Sequence, residues 1–206
     1  MLKIGLTGGA ATGKSTVSSI LKRLGAEIID VDMTAREVVE KGSPCLEKIV
    51  MHFGQDVLLA DGSLNRKKLG DMVFADKAKL EKLNAIVHPV MAARVRDTIR
   101  AVEKEKSTEV LIIDAAILIE MGLHKMVDCV WLVWANRKTQ IERLAARDGM
   151  SEEKAENIIN SQMPMEEKIK FADTVIDNTG TTEDLEDKVL KLWAKKINIL
   201  HTRMNK

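Results

Sequence analysis

Apolar residues fall along this chain in two alternating rhythms. The short unbroken runs LKIGLT (2–7), EIID (27–30), EVLIID (109–114), DCVWLVW (128–134) and DTVID (173–177) read as strands. Between them apolar residues recur at three- and four-residue intervals, as over 14–24 and roughly 182–200, and predict helices. Strands alternating with helices imply an α/β fold with a parallel sheet covered on both faces. Runs without polar interruption fit strands buried on both sides. Two segments break the rhythm. Residues 32–103 carry about four helical patterns and no strand. Within them Ser43-Pro44 reads as an N-cap followed by proline at the first helical position, Asp61-Gly62 as a turn, and His88-Pro89 as the opening of another helix. Residues 137–171 are helical, rich in Arg, Glu and Lys, and broken at Asp148-Gly149 and Pro164. Both segments follow strand C-termini, where open α/β sheets place their ligands. They predict an acceptor-binding lobe and a lid.

Composition narrows the classes of function. The 206 residues are 45% hydrophobic and 31% charged, enough for a core in one unit or one with lobes. A net charge of +1 gives no global field for nucleic acid, so an anionic ligand must be met by local basic residues. Aromatics at 3% argue against stacking platforms for single strands. No apolar run approaches membrane-spanning length, and the chain opens directly on a strand, so the expectation is a cytoplasmic protein. Cys45 and Cys129 lie far apart without metal spacing, and Cys129, in an apolar run, is expected to be a buried thiol.

The strongest local pattern is Gly8-Gly9-Ala10-Ala11-Thr12-Gly13-Lys14-Ser15, an instance of G-x-x-x-x-G-K-[ST] between a strand and a helix. Its glycines let backbone N–H groups converge as an anion nest, and the helix N-terminus adds partial positive charge. Lys14 can reach β- and γ-phosphates, and the Ser15 hydroxyl can ligate Mg²⁺. The loop does not choose what receives the phosphate. At the second strand's end stand Asp30 and Asp32, which alternation sends the same way if both are extended. A hydroxyl acceptor must lose a proton, so Asp32 is a candidate general base; its alternative role is to N-cap a helix starting at Met33. Asp30 could orient it or organise the metal's water. Asp114 ends the third strand, either on the Mg²⁺ shell or as a cap, and Glu120 follows it. Arg143 and Arg147 are four apart on one helix face and suit a phosphate clamp, whereas Arg137, Lys168 and Lys170 read as solvated surface. The histidines His52, His124 and His201 read as ordinary.

Taken in order, IGLTGGAATGKST, LGAEIIDVDMTAREVV, DGSLNRKKLGDMVF, LNAIVHPVM, ERLAARDGMSEEKAENIINSQM and ADTVIDNTG resemble the dephospho-coenzyme A kinase family over nearly the whole chain. The phosphate loop is shared by many kinases; IDVD-x-x-AR, DG-x-L-x-R, HP and AD-x-VIDN-x-G in this order are more specific. The resemblance implies transfer of the γ-phosphate of ATP to the ribose 3′-hydroxyl of dephospho-CoA, the last step of coenzyme A synthesis. It implies a P-loop kinase-like three-layer α/β sandwich with a five-stranded parallel sheet. The nucleotide-binding core would be 1–31, 104–136 and 172–206, the helical acceptor lobe 32–103, and the lid 137–171. Asp32 matches the proposed general base. Gly8, Gly9, Ala11, Thr12, Gly13, Lys14, Ser15 and Thr16 match the ATP loop. Arg36, Arg66 and His88, with Asp114, fall on the acceptor side, and Arg143 and Arg147 in the lid near the nucleotide. ATP and Mg²⁺ are the implied cofactors and dephospho-CoA the partner, with no nucleic acid, no membrane, and a monomer or weak homo-oligomer. One departure stands out: alanine occupies the usual proline position in Asp114-Ala115-Ala116-Ile117-Leu118-Ile119-Glu120. A nucleoside or nucleoside-monophosphate kinase, or a nucleotide-gated switch, would share the core; the sequence lacks a guanine-reading N-K-x-D run, which weakens a GTP switch.

Overall fold

Three nearly unbroken apolar segments build the centre of a parallel sheet: β1 (Leu2–Gly8), β3 (Val110–Asp114) and β4 (Cys129–Trp134). The computed structural model describes residues 1–204. Among them the sheet has five strands, completed by β2 (Glu27–Asp30) and β5 (Thr174–Asp177), in the order β2-β3-β1-β4-β5. All of β3 is buried, as are β1 from Ile4 onward and most of β4, because helices cover both faces. Val175 of the edge strand β5 remains exposed. Helix α1 (Lys14–Arg23) buries Val17, Ile20 and Leu21, one stripe at helical spacing, against Ile4, Leu6 and Trp131. Each such side chain contributes about 1.5–3 kcal/mol on burial. The terminal helix α9 (Thr182–Met204) adds Leu185 and Val189 to the same core. Cys129 is a buried thiol there, and its burial pushes its pKa up.

Register places the chemistry. Leu6 lies opposite Asp114 on β3, and Gly8 opposite Val133 on β4. The C-terminal ends of three neighbouring strands therefore surround the loop that joins β1 to α1.

Chain contacts divide the structure into two units, Met1–Ile29 with the chain from Val102 onward, and Asp30–Ala101. The second is helical: α2 (Val31–Glu37), α3 (Pro44–Phe53), α4 (Arg66–Phe74) and most of α5 (Lys77–Glu105). Val39, Cys45, Ile49, Val57, Leu69 and Val73 form its core. Ser43 caps α3, its hydroxyl accepting from Leu46 N at 3.1 Å with Pro44 at the first position. Gly62 turns the chain at φ 83° between the bridged residues Leu58 and Leu64. His88-Pro89 does not open a helix; Pro89 lies inside the 29-residue α5. The apolar stripe Leu80, Leu83, Ile86, Val87 and Val90 packs on the core across the proline, and that packing outweighs the lost backbone bond.

After β4 come α6 (Arg137–Asp148), α7 (Glu152–Asn160) and α8 (Met165–Ile169). Asn136 and Ser151 cap the first two, Gly149 ends α6 at φ 63°, and Pro164 stands before α8. Among the described residues no helix is long and apolar enough to cross a membrane.

Candidate active site

The loop between β1 and α1 is shaped for an anion. Gly13, the N-cap of α1, has φ 92° and supplies no side-chain cap, and no acidic residue occupies the first turn. Thr16 N closes the first turn on Gly13 O at 3.0 Å, and the partial positive charge of the helix start favours an anion there. Ala11 adds a second left-handed residue at φ 55°. The loop also excludes side chains: a Cβ on Gly8 would sit 2.5 Å from Thr12 Oγ1, and one on Gly13 2.0 Å from Asn178 Nδ2. Thr12 is fully buried and donates its hydroxyl to Gly9 O at 3.0 Å.

Lys14 opens α1 and forms a largely buried ion pair with Asp114, the last residue of β3. Asp114 is therefore neither a helix cap nor idle; the β1–β3 register delivers it to the lysine. The turn that follows keeps this placement despite its two alanines, because Ala115 N donates to Leu6 O at 3.0 Å. Ser15 and Thr16 are exposed in the first turn. Among the described residues no group of three or more His, Cys, Asp or Glu could hold a metal. The Ser15 hydroxyl and the Asp114 carboxylate are hard oxygen donors beside Lys14. That fits Mg²⁺, which takes one or two protein ligands and completes its shell with water and phosphate.

Side chains from distant segments hold the loop. Arg143 on α6 donates to Asn178 O at 3.0 Å and to Ala11 O at 3.5 Å. Asn178, just past β5 and buried, donates to Thr12 O at 2.8 Å. Gln162 accepts from Ala10 N at 3.0 Å. Neither Asn178 nor Gln162 is singled out by sequence reasoning, though both lie inside the quoted motifs. Arg147 is not brought to the loop; its guanidinium pairs with neighbouring Asp148 at 2.6 Å, and that hydrogen bond holds the Asp148 carboxyl below its usual range.

Lys168 is not a surface lysine. It is fully buried, with Nζ 2.5 Å from Ala116 O and 2.9 Å from Glu120 Oε1. Burial lowers its pKa, the Glu120 carboxylate opposes that, and Lys14 adds to the lowering. Glu120 Oε1 also accepts from Met163 N at 3.1 Å. No short-range pattern announces this burial, because its partners lie some 50 residues earlier in the chain.

Within the helical unit, β2 ends at Asp30 and α2 begins at Val31, so strand alternation does not orient Asp30 and Asp32. Asp30 is the cap: its Oδ1 accepts from Asp32 N at 2.9 Å and Met33 N at 3.1 Å. Capping therefore does not account for Asp32, which stands exposed in the first turn. Arg66 donates to the backbone Arg36 O at 3.2 Å, which brings its guanidinium to the end of α2. His88 is half-buried on α5.

Comparison with known proteins adds the family. A family model described as dephospho-CoA kinase matches residues 2–184. A protein of Geobacter sulfurreducens named dephospho-CoA kinase is 48% identical over 194 residues, 94% of this chain and 98% of its own. One of Thermobifida fusca with the same name is 43% identical over 203 residues, 98% of this chain and 100% of its own. The solved structure of dephospho-CoA kinase from Campylobacter jejuni aligns with a TM-score of 0.68 at 28% identity, covering 94% of this chain and 96% of that one. A phosphate loop at the sheet's C-terminal edge and a family match over most of the sequence lead to one assignment: the chain belongs to the dephospho-CoA kinase family.

Proposed function

We propose that the chain transfers the γ-phosphate of ATP to the ribose 3′-hydroxyl of dephospho-CoA, giving CoA and ADP. The observation that carries the nucleotide half is the glycine-rich start of α1, where Gly13 at φ 92° brings no side-chain cap, the first turn holds no acidic residue, and Lys14 follows. In this reading the loop N–H groups and Lys14 hold the β- and γ-phosphates, with Asp114 fixing the lysine's position. Arg143, bonded to Ala11 O and Asn178 O, would add positive charge at the nucleotide, and Arg147 would join once released from Asp148. Ser15 and Asp114 would hold Mg²⁺, which neutralises charge on the phosphates when bound.

The acceptor half is assigned to the helical unit. Arg36 and Arg66 supply fixed charge for an acceptor that carries a diphosphate, and His88 supports the same side. A ribose hydroxyl is a poor nucleophile until its proton is leaving. Asp32, relieved of capping by Asp30, accepts that proton late in transfer. Residues 137–171 act as the lid that excludes water during transfer. A cytoplasmic location and a monomer or weak homo-oligomer belong to the same proposal. The test is steady-state ADP release from ATP and Mg²⁺ with and without dephospho-CoA. The proposal expects release to depend on dephospho-CoA. Release that ignores it, or is matched by a nucleoside monophosphate, overturns the proposal.

A further inference from the structure

We infer that Gln162 is a positioning residue that sets the shape of the phosphate loop from outside it; the inference rests on the nucleotide-binding reading above. The loop needs outside support. Ala11 adopts φ 55°, a left-handed conformation that L side chains avoid. Two of the supports named above act on carbonyls, Arg143 on Ala11 O and Asn178 on Thr12 O. Gln162 acts on the N–H side, accepting from Ala10 N at 3.0 Å. A peptide group is planar and trans, so fixing the Ala10 N–H also fixes the Gly9 carbonyl on the opposite side. That carbonyl closes the loop: it accepts from Thr12 N at 3.3 Å and Thr12 Oγ1 at 3.0 Å. The one hydrogen bond that Ala10 donates to Gln162 thereby orients the turn Gly9–Thr12 that leads into α1.

Gln162 is itself held. Its own N–H donates to Ile159 O at 3.2 Å at the end of α7. The next residue, Met163, donates its N–H to Glu120, and Glu120 is fixed by the buried Lys168. Pro164 then restricts Met163 to extended backbone. The glutamine therefore stands on an anchored stretch of chain, and its reach to Ala10 is built in rather than a chance surface contact.

The test compares the full-length parent with Gln162→Leu, which fills similar space without an acceptor, and Gln162→Glu, which keeps an oxygen at the same reach. Loss of one neutral hydrogen bond predicts about a 3–10-fold weaker ATP dissociation constant in Gln162→Leu. KM for ATP should rise to match, with kcat within about twofold and KM for dephospho-CoA unchanged. Amide exchange at Ala10 should quicken in Gln162→Leu and stay slow in Gln162→Glu. Parental ATP affinity and parental Ala10 exchange in Gln162→Leu would overturn the inference. Tighter ATP binding in Gln162→Leu would also overturn it, since the side chain would then be competing with the phosphates. A parent that binds no ATP overturns the nucleotide-binding reading and this inference with it, whereas a binding parent with an unaffected variant overturns the inference alone.

Discussion

Replacing Lys168 by methionine asks whether a charge with no exposed surface is held as tightly as its contacts suggest. Methionine keeps the unbranched length and removes the ammonium. In the parent, Nζ makes two charge-assisted contacts, 2.9 Å to Glu120 and 2.5 Å to Ala116 O. Hydrogen bonds to charged groups contribute about 1.5–3 kcal/mol each, net, when measured by removing one partner. Replacing the whole pair by apolar residues of similar volume would be near neutral, because both charges then escape desolvation. Truncating one partner is different, because Glu120 keeps its charge. Its Oε2 is buried and already lacks a hydrogen-bond partner among the described residues. Breaking a buried pair costs about 3–5 kcal/mol, and the 19% exposure of the Glu120 side chain points to the lower end. A loss of about 3 kcal/mol in a chain of this length lowers Tm by roughly 6–12 °C. Adding Glu120→Gln removes the stranded charge while an amide oxygen can still accept from Met163 N, so the double variant should regain at least half of the loss. The pH dependence has a definite sign. Lys168 titrates below 10.5, the ordinary lysine value, because burial outweighs the Glu120 attraction; the neutral amine still donates to Glu120 where methionine cannot, and above the folded pKa the unfolded chain binds more protons. The parent should therefore gain stability relative to Lys168→Met as pH rises towards 10.5. Denaturant and thermal unfolding of the three proteins across alkaline pH measure all of this. A loss under about 1 kcal/mol in the single variant, or additive losses in the double, would refute the reasoning.

Three further outcomes follow from the site. Lys14→Ala should cut kcat at least about a hundredfold while the fold survives, read by turnover and circular dichroism; parental turnover would remove the loop from the ATP site. Asp32→Asn should lower kcat by about 10²–10⁴-fold with ATP affinity unchanged, whereas Asp30→Ala should cost about 1 kcal/mol of stability, because Asp30 and not Asp32 caps α2. Titration and unfolding separate those two effects. Arg143→Ala should raise KM for ATP more than Arg147→Ala does, since Arg143 already touches the loop and Arg147 is engaged with Asp148; equal effects would place both on the nucleotide.

What the sequence reveals here follows the distance over which each feature is determined. The phosphate loop is legible because a strand, a glycine-rich turn and a helix lie within some twenty consecutive residues, and their chemistry depends on one another. The central strands are legible because burial on both faces leaves unbroken apolar runs such as VLIID. The Ser43-Pro44 cap is local and is found where expected. Asp30 and Asp32 are harder. Which one caps depends on whether the chain turns helical at Val31 or two residues later, and both possibilities suit the local sequence. Pro89 misleads because helix continuity there is set by packing of flanking residues rather than by the proline itself. Lys168 and Gln162 look like ordinary polar residues in a charged segment. Their roles arise only when chain from beyond β4 meets the turn after β3 and the loop after β1.

The central claim is that one phosphate moves from ATP to one hydroxyl of dephospho-CoA. The most direct measurement is phosphorus NMR, with mass spectrometry, of the product formed by the purified chain with ATP, Mg²⁺ and dephospho-CoA. The account predicts one new phosphomonoester on the ribose 3′-oxygen, appearing in step with ADP. Phosphate on another position of the acceptor, or ADP accompanied only by inorganic phosphate, would contradict it.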